Sequence, residues 1–204
     1  MSYMTWIPLN SYRAGSRKMT ASRQVTHAMV EGCFAPTDAR VGEGRVLWRL
    51  DNGVAGMGLV MVSPTPPSPE HIVEQGGWSS SVEPYTVVDY APTLEGLFNN
   101  QTVSFRATLN AAAPNGDMKR VAVPECESQE WAINKLHNAG FDIDELVVES
   151  YTTDTFQRGS HPVTLALVTV VGSATIHDSV RARQSLTSGL GAAKGYGCGL
   201  ITIE

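Results

Sequence analysis

The sequence predicts an α+β chain of two tandem ferredoxin-like (RRM-like) β-α-β-β-α-β domains, closed by a C-terminal glycine-rich loop. Three observations lead there. Short strands and amphipathic helices follow one another twice in roughly that order. The order restarts after a boundary at Thr93 to Gln101, which divides the 204 residues into domains 1–97 and 98–204. The tail places five glycines and Lys194 between Gly189 and Gly199, after a helix and before a last strand. No repeat is visible residue by residue.

In the first half, Met4 to Leu9 reads as a strand. Ser11 to Thr20 is a basic, Gly- and Ser-bearing loop. Ser22 starts a helix running to about Gly32, with Val25, Met29 and Cys33 as its buried stripe. Arg45 to Leu50 and Gly58 to Ser63 are strands, separated by the turn signal Asp51-Asn52-Gly53. Ser63 to Pro69 is a proline-rich connector that no sheet interior accommodates. A weak helix begins near Pro69, and Tyr85 to Tyr90 is the next strand.

The second half fits the pattern better. Thr102 to Asn110 alternates as a strand, Asn115-Gly116-Asp117 turns, and Lys119 to Val123 is a short strand. Ser128 caps a helix that reaches Ala139 and stops at Gly140, with Trp131 and Leu136 as its core residues. Leu146 to Tyr151 and Val163 to Val171 are strands joined by a polar turn containing Arg158. Asp178 caps the last helix, and Leu200 to Ile203 is the final strand.

Composition bounds the function. A hydrophobic fraction of 42% suffices for ordinary cores. No run is apolar enough to span a membrane, and Met1 to Asn10 lacks the pattern of a signal peptide. Cys33, Cys126 and Cys198 are too scattered for a disulfide framework or zinc site, which fits a reducing cytoplasm. The net charge of −5 disfavours a nucleic-acid partner until its distribution is read. Residues 1–50 hold seven Lys/Arg against three Asp/Glu, whereas 51–100 hold none against six. Arg13, Arg17, Lys18 and Arg23 form a cluster without an acid, so one positive face on an acidic body is expected.

The tail allows two readings. Glycines let backbone amides converge on an anion, and Lys194 adds a charge. Alternatively the glycines only let helix and strand pack closely. It is no P-loop, because Gly195 follows Lys194 and a strand comes next.

Of the five histidines, His71, His137, His161 and His177 read as surface or packing residues. No pair has the spacing of a helical metal site, and no carboxylate cluster suits magnesium, so a metal nuclease is disfavoured. His27 differs. At about 100° per residue it points nearly opposite Val25, with Arg23 and Glu31 on its own face. Arginine grips phosphate, and a carboxylate orients an imidazole. An ordinary charged outer face is the alternative.

These stretches resemble the CasE family, the endoribonucleases that process CRISPR RNA in subtype I-E systems. The tail order Gly189, Gly191, Lys194, Gly197, Gly199, Leu200 is similar to that family's closing motif. Ser22 to Phe34 with Arg45 to Asp51 resembles its first helix and next strand, and His27 falls at its catalytic histidine. Phe105 to Asn110, Lys119-Arg120, Gln129 to Trp131 and Gly140-Phe141 extend the resemblance over most of the chain. Two positions depart from it: some relatives carry tyrosine and lysine where this chain has Gln24 and Gly32.

The resemblance implies a metal-independent endoribonuclease without cofactors. It would cleave a CRISPR repeat hairpin, leave a 2′,3′-cyclic phosphate and 5′-hydroxyl, and stay with the crRNA beside other Cascade subunits. His27 is the expected catalytic group, with Arg23 or another basic residue neutralising the phosphorane. Arg13, Arg17, Lys18, Arg106, Lys119, Arg120, Arg158, Lys194 and the loop glycines Gly189, Gly191, Gly195, Gly197 and Gly199 are the candidate RNA contacts. The rival readings are a non-catalytic RNA-binding module and a Cascade scaffold subunit. Aromatic RNP strands are missing, which weighs against the RRM-type binder.

Overall fold

The computed structural model describes residues 1–35, 44–53, 56–78, 83–115 and 120–204. It divides into two compact units: Met1–Leu94 with Gly195–Gly197, and Glu95–Lys194 with Cys198–Glu204.

The first unit is built on the strands β1 (Tyr3–Leu9), β2 (Leu47–Gly53), β3 (Gly56–Ser63) and β4 (Thr86–Asp89). They form one antiparallel sheet in the order β2-β3-β1-β4. This is the ferredoxin-like arrangement, with the first and third strands in the middle. Alternation explains β1: Thr5, Ile7 and Leu9 are buried. In β3 every residue from Leu59 to Ser63 is buried, as befits an inner strand. Ile7, Leu9, Leu59, Met61 and Trp48 meet Met19, Val30 and Ile72 from the helices to form the core. Each such side chain contributes about 1.5–3 kcal/mol by leaving water.

The residues expected as a basic loop instead form helix α1 (Ala14–Ala21). Ser16 and Met19, three apart, are its buried residues, and the basic side chains take the remaining faces. Helix α3 (Glu70–Gly76) explains why the segment is ordered. The Gly76 carbonyl, orphaned at the end of α3, accepts from Ser16 Oγ at 2.6 Å and Asn10 N at 2.8 Å. Arg13 donates to the Gly77 carbonyl at 3.1 Å and the Glu74 carbonyl at 2.6 Å.

Helix α2 (Arg23–Glu31) keeps Cys33, just past its end, buried and Met29 partly buried, as expected, but turns Val25 outward. Thr26 and Val30 are buried, while Val25 is 36% exposed. Thr26 Oγ1 donates to the Met19 carbonyl at 2.7 Å, so a satisfied hydroxyl replaces the valine as the inward group. Asp51 to Gly53 extend β2 and do not turn. A short helix α4 (Ala91–Glu95) occupies part of the segment read as the boundary, with Leu94 buried.

The second unit repeats the arrangement. Strands β5 (Thr102–Asn110), β8 (Phe141–Arg158), β9 (His161–Ile176) and β10 (Ile201–Ile203) form an antiparallel sheet in the order β10-β5-β9-β8. A small hairpin, β6 (Ala112–Pro114) with β7 (Arg120–Ala122), follows β5. Helix α5 (Glu125–His137) begins three residues before the expected cap. Ser128 lies inside it, buried, donating to the Glu125 carbonyl at 2.7 Å. Leu136 is buried as expected, but Ala132 takes the other inward position and Trp131 is only half-buried beneath Lys135. Helix α6 (Ser179–Ser188) is capped by Asp178, whose carboxylate accepts from the Val180 and Arg181 amides.

β8 is far longer than the sequence suggests. It is an edge strand, exposed along most of its length, so burial imposes no clean alternation. Register shifts at Ile143/Glu145 and Val148/Ser150 break the period further.

Candidate functional site

The site lies in the first unit, where α2, the start of β2 and residues Gly195–Gly197 meet. The helix holds His27 on its flank, beside the buried Thr26, so the imidazole side chain is 31% exposed. Glu31 Oε1 stands 3.9 Å from His27 Nδ1, beyond hydrogen-bonding distance, and its side chain is 51% exposed.

A short 3-10 turn, Lys194–Tyr196, brings the tail to this histidine. The Tyr196 ring meets the imidazole edge-on, with centroids 5.7 Å apart and planes at 64°. Trp48 and Arg23 hold the segment. Trp48 Nε1 donates to the Gly195 carbonyl at 3.2 Å, and Arg23 Nη1 donates to the Tyr196 carbonyl at 2.8 Å. Gly197, at φ +74°, lies so close to the Trp48 ring that a Cβ there would stand 2.5 Å from Cζ3. Gly195 faces His27 itself, where a Cβ would be 3.7 Å from Cε1.

These residues border a cavity of about 290 Å³ lined by His27, Glu31, Phe34, Arg45, Thr65 and Gly195, among others. It offers an imidazole, a carboxylate, a guanidinium and an aromatic face. Burial pushes the Cys33 thiol up to about 12, with the Glu70 charge a lesser cause. Burial alone pushes the Tyr90 hydroxyl up to about 12. Glu70 is lowered chiefly by its own backbone hydrogen bond and then by the Tyr85 hydroxyl.

Of the residues singled out from sequence, the structure brings His27, Arg23, Gly195 and Gly197 together. Arg23 serves as a tether of the tail through its bond to Tyr196. Arg13 closes the end of α3, Arg17 donates to the Tyr12 carbonyl, and Lys18 is exposed on α1. In the second unit Arg106 forms a two-bonded pair with Glu149, and Arg120 and Arg158 are exposed on strands. Lys194 donates to the Ser188 carbonyl, and Gly189, Gly191 and Gly199 carry positive φ. Gly199 backs onto Leu190, where a Cβ would meet the carbonyl oxygen at 2.4 Å. Close packing therefore accounts for Gly197 and Gly199. Lys119 lies outside the described residues.

Two features of the structure have no motif in the sequence. Arg45, which the sequence places at the start of a strand, lines the His27 cavity. Its only signal was a cation just ahead of the apolar run of β2. His137, Asp142 and His177 come together in the second unit, from elements whose spacing gives no metal motif.

The family model described as CRISPR associated protein matches residues 2–204. No curated protein matches the chain. Solved structures do. Thermus thermophilus Cse3 bound to an RNA representing a pre-cleavage complex is 23% identical, with a TM-score of 0.81 over 100% of this chain and 98% of that one. Cas6e from Escherichia coli strain K-12 is 20% identical, with a TM-score of 0.63 over 100% and 98%. A chain of a CRISPR RNA-guided surveillance complex, pre-nicking, is 17% identical, with a TM-score of 0.66 over 100% and 99%. These likenesses carry the two-domain ferredoxin-like fold.

Proposed function

The chain belongs to the CRISPR associated protein family, and from that premise we propose that it is a metal-independent endoribonuclease. It binds the repeat hairpin of precursor CRISPR RNA, cuts it, and stays with the product as a subunit of a surveillance complex in the cytoplasm. The supporting observation is the cavity that gathers His27 and Arg45 against the tail residue Gly195. The Thermus Cse3 of the same fold was captured on RNA, and another chain of that fold sits in a surveillance complex. Among the described residues no helix is long and apolar enough to cross a membrane.

RNA carries its own nucleophile. The 2′-oxygen attacks the adjacent phosphorus, the bond to the 5′-oxygen breaks, and a 2′,3′-cyclic phosphate and a 5′-hydroxyl result. One proton leaves the 2′-hydroxyl and one reaches the departing 5′-oxygen. His27 moves one of them, because imidazole titrates near neutral pH. Arg45 offers the charge that neutralises the phosphorane, and Phe34 a face for a base to stack on. Arg23 acts indirectly, holding Tyr196 so that the tail stays against the imidazole.

Cleavage of a labelled repeat hairpin in EDTA tests the reading. His27→Ala should slow cleavage by about 10²–10⁴-fold while hairpin binding persists. Full activity of the variant removes His27 from the mechanism, and loss of wild-type activity in EDTA removes metal independence. A hairpin bound but never cut by the wild type indicates a non-catalytic binder; no binding indicates a scaffold.

A further inference from the structure

We propose that the second unit carries a surface site for a divalent transition-metal ion of the zinc class, with His137 and His177 as its ligands and Asp142 behind His137. One nitrogen or oxygen donor from each of the three lies within 4.8 Å of the others. They come from the end of α5, the residue before the Asp178 cap of α6, and the start of β8. The imidazoles stack with centroids 4.8 Å apart and planes at 27°.

The hydrogen bonds set the chemistry of each ring. His177 Nε2 lies 2.9 Å from the His137 carbonyl oxygen, which only accepts, so Nε2 carries the proton and Nδ1 keeps its lone pair. His137 Nδ1 lies 2.8 Å from Asp142 Oδ1, so with Asp142 ionised Nδ1 donates and Nε2 keeps its lone pair. Each imidazole is thus anchored through one nitrogen, to a carbonyl or a carboxylate, and presents the other as a ligand. Metal-ligating histidines have this outer arrangement.

The surroundings favour a cation. His137 is the last residue of α5, where the helix dipole is negative. The neighbouring Asp178 carboxylate is occupied by the Val180 and Arg181 amides and by the Arg181 guanidinium, so it does not compete for the ion. His137 and Asp142 are more than half exposed, which admits the ion and the waters that complete its shell. Bonds of about 2.0–2.1 Å require the two ligating nitrogens to draw together on binding, and the exposed His137 ring, held through Nδ1 alone, pivots about that bond to bring them there. The ligands are two neutral imidazoles, with Asp142 as the outer carboxylate, a set suited to zinc, nickel or copper and not to magnesium. The site uses no residue of the His27 cavity, so it stands whether or not the chain cleaves RNA.

The test is calorimetric titration of the untagged full chain with zinc chloride and, separately, magnesium chloride. One zinc per chain should bind, and magnesium should not. His137→Ala and His177→Ala should each weaken zinc binding at least about tenfold, and Asp142→Asn by about 10–100-fold. His27→Ala and His161→Ala should leave it unchanged. Circular dichroism of the metal-free variants verifies that they remain folded. Absence of zinc binding by the wild type overturns the proposal. So does affinity that survives the folded His137→Ala/His177→Ala double variant.

Discussion

Replacing Gly197 with alanine separates the two roles available to the glycine-rich tail. Alanine at φ +74° is strained by about 1–2 kcal/mol. Its Cβ would also stand 2.5 Å from Trp48 Cζ3 and 2.8 Å from Arg23 Nη1, and such overpacking costs about 1–3 kcal/mol. The total is about 2–5 kcal/mol by these two principles. Against it stand the bonds that hold the segment. Arg23 to the Tyr196 carbonyl is worth about 1.5–3 kcal/mol and Trp48 to the Gly195 carbonyl about 0.5–1.5. The strain is of the size of these two bonds together, so the segment should loosen before the whole unit unfolds. Trp48, 1% exposed, then meets water. Gly191→Ala is the control: it has φ +77° but nothing within 4 Å of the added carbon, so only the backbone strain remains. Tryptophan emission and urea unfolding are the assays. Gly197→Ala should show a red-shifted native baseline and slower hairpin cleavage, and Gly191→Ala neither. If the two variants share native emission and midpoint, the packing account of Gly197 is wrong.

Two further outcomes follow from the same structure. Arg45→Ala should lower the single-turnover cleavage rate by about 10²–10³-fold, as removal of one transition-state donor does elsewhere, with hairpin affinity changed far less; equal losses in rate and affinity would make Arg45 a binding residue only. Cys33 and Cys198 are buried and Cys126 is exposed, so an aromatic disulfide reagent at pH 8 should titrate one thiol quickly and two more only in denaturant. Burial raises the Cys33 pKa in the folded chain to about 12, so the unfolded chain releases that proton first. Its contribution to stability is therefore intact below the ordinary thiol range and declines between there and about pH 12.

The strand orders were legible where burial imposes a period. β5, with Val103, Phe105, Ala107 and Leu109 inward, coincides with the expected strand at both ends. β8 showed only its middle, Leu146 to Tyr151, because an exposed edge strand needs no alternation along its length. Helix α1 reads as a loop in the sequence because its inward face is one serine and one methionine, and the bonds that order it go to α3, some sixty residues away. His27 was legible as an outward histidine, but for a reason one position out: Thr26 turns inward through the Met19 carbonyl, leaving His27 on the flank. Arg45 and the His137–Asp142–His177 group were not legible. Their meaning arises only when the chain folds back, and neither spacing nor composition carries that.

The carboxylate beside His27 is the point at which distance decides a role. On the helix, Glu31 sits one turn after the histidine, the position expected of an orienting group. An orienting carboxylate must bond the ring nitrogen, yet Glu31 Oε1 stands 3.9 Å from Nδ1 and half of its side chain is in water. An exposed pair four residues apart on a helix is worth about 0.2–0.5 kcal/mol. Converted to a rate, that is less than about threefold. Glu31→Gln should therefore keep cleavage within about threefold of the parent, and the small effect should shrink further as salt rises. A loss of a hundredfold or more would mean that the RNA draws the two side chains into direct contact. The imidazole would then depend on Glu31 for its proton, as the histidine of a hydrolytic triad depends on its carboxylate. With the geometry as it stands, what holds the imidazole in place is the tail: the Tyr196 edge and Gly195, fixed by Trp48 and Arg23. Release of that segment should slow cleavage more than loss of the Glu31 charge, and the ratio of the Gly197→Ala rate to the Glu31→Gln rate measures which contact positions the histidine.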